Sequence, residues 1–124
     1  DADIVLDWER RVREAGNRLP IRIGIPGPAT IKTLVRFAQN SGIGPSMRFV
    51  AKQAKNVAKL MTVQSPHLLI VGLAEGMAAD EDCLIRHFHY YPFGGFVRTA
   101  AYAGAIAEGR IDLLPKGGFD VNEG

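Results

Sequence analysis

Two segments constrain this chain more than any others: Pro20-Ile-Arg-Ile-Gly-Ile-Pro-Gly-Pro28 and His87-Phe-His-Tyr-Tyr-Pro-Phe-Gly-Gly95. Each is a short run rich in β-branched or aromatic residues, closed by proline and glycine and followed at once by a helical pattern. A strand that turns tightly into a helix is the unit of parallel α/β architecture, and in such folds ligands bind at the loops beyond the strand C-terminal ends. These two junctions are therefore the place to look for function.

Around them, apolar spacing predicts helices. Ile4, Val5, Trp8 and Val12 recur at helical intervals from Asp3 to Ala15, with acids early, arginines late and Gly16 at the C-terminal cap. Leu19 to Ile25 reads as a buried strand. From Ala29 to Ser41 a stripe of Ile31, Leu34, Val35 and Ala38 forms, with Thr33 and Phe37 four apart on a neighbouring face. Ser46 caps a helix expected from Met47 to about Met61, basic along one side through Arg48, Lys52, Lys55 and Lys59. Ser65-Pro66 opens a helix to about Ala79, and Phe96 to about Glu108 forms another, with Val97, Ala101 and Ala105 directed inward. Residues 116–124 are glycine-rich and polar and read as a flexible tail. The alternation, with no hairpin signal, argues for a parallel sheet covered by helices. Two or three such strands leave open edges, so a piece of a larger α/β barrel fits better than a complete small fold.

With 124 residues the chain is one domain at most, and 47% hydrophobic with 23% charged residues is an ordinary globular composition. A net charge of +2 does not by itself imply a nucleic-acid partner. Cys83 is the only cysteine, which excludes an internal disulfide and suits the cytoplasm. The longest apolar run, Leu68 to Ala74, stops at Glu75 and is too short to cross a membrane. Asp1 opens directly into a helix start, so the chain is expected to begin in mid-protein.

Few residues announce chemistry. His87 and His89 alternate on a strand and face one side with Tyr91; a His-x-His pair suits a metal, but without a third ligand the packed or ligand-lining reading is stronger, and no metal is expected. His67 does not obviously join them. Gly27-Pro28 and Gly94-Gly95 offer amides at helix starts to an anion, yet match neither the dinucleotide fingerprint nor the phosphate loop, and a tight turn is the simpler explanation. The basic stripe reads as a solvated face, with only Phe49 nearby for stacking and acids elsewhere nearly balancing the charge. Cys83 reads as an inert core thiol. No Ser, His and acid form a triad by spacing.

Taken together, Asp1-Ala-Asp3 with its following helix, Leu19-Pro-Ile-Arg-Ile-Gly-Ile-Pro-Gly27 and His87-Phe-His-Tyr90 resemble the C-terminal part of methylenetetrahydrofolate reductase, the flavin enzyme of one-carbon metabolism. The resemblance covers nearly the whole chain. It implies that residues 1–115 are the C-terminal portion of a (β/α)8 TIM barrel, roughly its last three βα units. In the family a phenylalanine on the helix after the proline-glycine strand packs on the folate, and Phe37 falls there. A glutamine one turn earlier holds the pterin; here Thr33 stands in its place, too short for paired amide contacts. Phe93 falls about where the family's arginine holds the folate glutamate tail, leaving Arg98 or the basic helix with Arg48 to substitute. His89 takes a tyrosine's position and Tyr91 a nearby apolar one, both lining the cleft.

The resemblance further implies FAD as cofactor and NAD(P)H as co-substrate, reducing 5,10-methylenetetrahydrofolate to 5-methyltetrahydrofolate. The general acid and most flavin-gripping residues belong to upstream strands, so this chain supplies one wall of the cleft and no catalytic residue. The rest of the barrel, another chain or a homo-oligomer would cover the open sheet edge. Two other readings stay open: a related barrel acting on another pterin-linked one-carbon substrate, and a non-catalytic ligand-binding partner subunit.

Overall fold

The computed structural model describes residues 1–42 and 57–122. Its elements, in chain order, are α1 (Ala2–Glu14), β1 (Ile21–Pro26), β2 (Ala29–Thr30), α2 (Ile31–Asn40), α3 (Val57–Leu60), β3 (Val63–Gln64), α4 (His67–Ala79), β4 (Ile85–Tyr91), α5 (Phe96–Ala107), β5 (Ile111–Leu113) and β6 (Phe119–Val121). The chain is of mixed α/β type, and the strands of the two junctions, β1 and β4, pair with each other. Ile21 N–H donates to Leu84 C=O and Gly27 N–H to Tyr91 C=O. Residue numbers rise together along both strands, which makes the pair parallel, as the sequence pattern predicts. Of the helix expected from Met47 to Met61, residues 47–56 lie outside the described residues, and the helical part after them is Val57–Leu60.

Two compact units divide the chain. Unit 1 comprises Asp1–Ile25, Pro66–His89 and Ala105–Gly124; unit 2 comprises Pro26–Ser65 and Tyr90–Gly104.

In unit 1, α1 packs on α4 through small residues. A Cβ added to Gly72 would lie 2.7 Å from the Ala2 methyl, and one on Gly76 would collide with the Leu6 side chain. Ala2, Leu6, Glu9 and Arg13 thus form the inward stripe of α1, and the expected one is corrected: Ile4 and Trp8 are 69% and 43% exposed while Glu9 is buried. The seam with α4 permits close approach only along its glycine line, and that line selects the face. Both carboxyl oxygens of Glu9 have partners. Its Oε1 accepts the Leu84 N–H at 3.1 Å, and the Arg13 guanidinium donates to its Oε2 at 3.3 Å and to Asp80 Oδ2 at 2.6 Å. The Arg13 hydrogen bond is the chief reason the Asp80 carboxyl is held below the usual carboxylate range. Ile70, Leu73, Cys83, Ile85 and Phe119 supply the apolar core of the unit.

The expected tail is also corrected. β5 and β6 form an antiparallel hairpin in which Ile111 faces Val121 and Leu113 faces Phe119. Gly117 and Gly118, at φ 84° and 82°, make its turn, and Phe119 is 1% exposed. The Gly-Gly pair between Leu113 and Phe119 was the hairpin signal. The hairpin seats on the first turn of α4: the His67 and Phe119 rings meet edge-on at 4.4 Å, and Leu68 lies beneath Gly118. α4 itself starts at His67 after Pro66, without the side-chain cap expected from Ser65.

Unit 2 contains a second small antiparallel pairing that the sequence pattern does not predict, Ala29 with Gln64 and Thr30 with Val63. It delays α2 to Ile31, with Thr30 extended at φ −68° and ψ 151° as its cap. The apolar stripe expected on α2 is half-buried throughout. On α5 the inward face is Thr99 and Tyr102, whereas Val97, expected inward, is 81% exposed. A helix apolar on nearly every side leaves the choice of face to its neighbours. Among the described residues no helix is long and apolar enough to cross a membrane.

Replacing Glu9 by alanine leaves the Leu84 N–H without its acceptor and Arg13 with Asp80 alone, and is expected to cost about 1–3 kcal/mol, read from urea unfolding midpoints; an unchanged midpoint would refute the network's role. Burial lowers the His67 pKa from its usual 6.5, partly offset by Asp120. The folded form therefore binds the proton less readily than the unfolded chain, so stability is full at neutral pH and above and falls as pH drops through about 6.5. In His67→Gln that part of the acid-side loss should disappear from thermal melts across the same range.

Candidate functional site

The two junctions meet inside unit 2, and backbone contact brings them together. Gly94 lies so close to Pro28 and Ala29 that an added Cβ would collide with the Pro28 carbonyl oxygen. A Cβ on Gly27 would fall 2.5 Å from Thr99 Oγ1. Glycine is needed at both places because two chain segments share the space of a side chain, a different reason from the tight turn that sequence alone suggests.

This contact positions an aromatic cluster. Phe93, just before Gly94, sits 4.6 Å from the Phe37 ring with planes inclined at 38°. Tyr91 stacks on Phe93 at 5.7 Å and 16°. Phe37 and Tyr91 keep 37% and 46% of their surface exposed, so the cluster presents ring faces to solvent. Phe37 is delivered by α2, whose start is fixed by Thr30: its hydroxyl accepts the Thr33 N–H at 3.2 Å and donates to Thr33 Oγ1 at 3.0 Å. Thr33 stands one turn before Phe37 and retains its own hydroxyl hydrogen for an outside acceptor.

Four of the five residues expected to line a cleft, Thr33, Phe37, Tyr91 and Phe93, thus belong to one unit. His89 is an exposed residue of β4 in unit 1. Arg36 is a member that sequence reasoning missed: its guanidinium carbon lies over the Phe37 ring, 5.7 Å from the centroid. Adjacency to Phe37 was its only signal. Arg98, an expected substitute for the tail arginine, is exposed, and Arg48 lies outside the described residues.

Several junction amides that an anion could use are engaged within the chain. Gly27 N–H is used by Tyr91 C=O, Ile31 N–H by Thr62 C=O, Thr33 N–H by Thr30 and Gly95 N–H by Pro92 C=O. Cys83 is buried, and burial pushes its thiol up, away from thiolate reactivity. Tyr90 and Tyr102 meet edge-on at 6.1 Å, and burial raises both phenols above their ordinary range, so both stay protonated near neutrality. Among the described residues no three His, Cys, Asp or Glu side chains gather as a metal site. Unit 2 thus brings together the Phe37, Phe93 and Tyr91 rings, the Arg36 guanidinium and the Thr33 hydroxyl.

Gly94→Ala forces the two loops apart and is expected to cost about 1–3 kcal/mol. Thr99→Val should have the opposite sign, because the Thr99 hydroxyl is buried without a hydrogen-bond partner among the described residues and its loss relieves that cost. Thermal melts of the two variants check both, and equal destabilisation would contradict the packing described. No protein-family model matches the chain.

Proposed function

We propose that this chain is part of a (β/α)8 flavin-dependent oxidoreductase of the methylenetetrahydrofolate reductase type, and that unit 2 forms one wall of its folate cleft. The observation that carries the reading is the ring cluster: Phe37, at the position where the family packs a phenylalanine on folate, lies 4.6 Å from Phe93, with Tyr91 stacked beyond it. A parallel β1–β4 pair leading into these loops is what a barrel segment requires, and it supports the same reading.

Within this proposal each residue does a limited task. Phe37 and Tyr91 bury a face of the substrate ring, and Thr33 donates one hydrogen bond to its polar edge. Phe93 packs between two rings where the family holds an arginine. That replacement favours, as a second reading, a related barrel whose pterin-linked substrate differs around the tail. When bound, FAD would pass a hydride from NAD(P)H to the methylene carbon of the folate. The amides of Gly27, Ile31, Thr33 and Gly95 donate internally, which supports placing the grip on the flavin diphosphate elsewhere. Flavin binding and the general acid are therefore assigned to other strands of the barrel, and the present residues orient the acceptor.

Turnover of 5,10-methylenetetrahydrofolate with NADH or NADPH tests the proposal in the protein that carries this chain. Phe37→Ala should raise KM for the folate about fivefold to tenfold, the worth of one aromatic contact, with the melting temperature little changed. Absence of turnover, or an unaltered KM, would sink it. Turnover with a different pterin substrate would select the second reading.

A further inference from the structure

At the N-terminal ends of β1 and β4, a cleft of about 460 Å³ is lined by Arg13, Arg18, Glu81, Asp82, Leu84 and Arg86, all of unit 1. Leu84 is its apolar member, so charge decides what the cleft can hold. Its walls are fixed from behind. Buried Glu9 accepts the Leu84 N–H, and Arg13, which donates to Glu9, also donates to Asp80. Asp80 in turn sets the acidic turn: its Oδ1 accepts the Asp82 N–H at 3.0 Å and its carbonyl the Cys83 N–H at 3.1 Å. Arg18 is held along one side, where its Nη1 donates to the Arg13 and Asn17 carbonyls at 3.0 and 2.8 Å. Its Nε and Nη2 hydrogens have no acceptor among the described residues. Of the ion pairs among those residues, none uses Arg18, Arg86, Glu81 or Asp82, whereas Arg13 is committed to Glu9 and Asp80.

We propose that this cleft binds a small zwitterion carrying an α-carboxylate and an α-ammonium, either a free amino acid or a di- or tripeptide. The carboxylate is taken by Arg18 and Arg86, the ammonium by Glu81 and Asp82. An anion alone would meet the two carboxylates of the lining, and a cation alone its guanidiniums; a ligand bearing both signs satisfies both pairs. The Nε and Nη2 hydrogens of a guanidinium are parallel and form the fork that a carboxylate accepts bidentately. Because Arg18 is already anchored through Nη1, little side-chain freedom is lost when that fork is filled. The acids are presented on a turn that Asp80 and Arg13 hold in place, so both halves of the cleft stand formed before a ligand arrives. Its volume is that of a small-molecule site. Ligands of parallel α/β folds ordinarily bind beyond the C-terminal ends of strands, so this cleft at the other end is a site additional to the two junctions.

Calorimetric titration of the protein tests this with glycine and triglycine, the N-acetyl and C-terminal amide derivatives of each, and inorganic phosphate. The better-bound parent is expected to lose at least about tenfold in affinity when either end is blocked, the worth of one charge-assisted contact. Its binding should weaken as salt screens the exposed charges. Tighter binding of glycine assigns the site to free amino acids, and of triglycine to peptides. Arg86→Gln should weaken the parent at least about fivefold without weakening the amide derivative, which has no carboxylate to lose. Glu81→Gln should weaken the parent by a similar factor without weakening the N-acetyl derivative, which has no ammonium. Both side chains are exposed, so the melting temperature should change little. That crossed pattern separates direct contact from a general disturbance of the fold. Blocked derivatives that bind as tightly as their parents, phosphate binding tighter than either zwitterion, an equal loss for every probe in either variant, or no binding at all would overturn the proposal.

Discussion

The approach of Gly94 to the Pro28–Ala29 backbone is the constraint on which the rest of unit 2 depends. Two loops that share the volume of one side chain cannot slide past each other, because interiors at this density have no slack. Phe93, one residue earlier, is held beside α2, and Phe37 arrives at it because Thr30 fixes where α2 begins. Gly27 does the same for α5, whose Thr99 side chain occupies the space a methyl group would need. The ring cluster is thus a consequence of backbone contact, and the aromatic residues supply its surface rather than its placement.

Unit 1 is held by different physics. Its buried carboxylate, Glu9, ties α1 to the residue preceding β4 through the Leu84 N–H, and Arg13 carries that charge outward to Asp80. A buried charge is tolerated only when partners surround it, so the network also specifies the register of α1 against its neighbours. Glycines 72 and 76 let the α1 and α4 backbones come close enough for that network to form.

Unit 2 gathers the Phe37, Phe93 and Tyr91 rings with the Arg36 guanidinium and the Thr33 hydroxyl. In the proposed reductase that is a substrate wall, with the electron and proton transfers performed by the remainder of the barrel.

Much of the local structure was legible in the sequence. Apolar periodicity located α1, α2, α4 and α5 to within a residue or two, and the β-branched runs closed by Pro-Gly located β1 and β4, because these signals are carried by neighbours in the chain. Phe37, Tyr91 and Phe93, which the resemblance named together with Thr33, lie with it in unit 2. Which face each helix buries was decided only in three dimensions: Glu9 displaced Trp8, and Thr99 displaced Val97, since close contact with a distant glycine outweighs apolar periodicity. The hairpin of β5 and β6, the pairing of β2 with β3, and Arg36 over Phe37 also came from the fold. The sequence by itself determined the helices, the two strands and the turns between them; the tertiary structure decided what those turns press against, because contacts between residues far apart in the chain leave no local pattern.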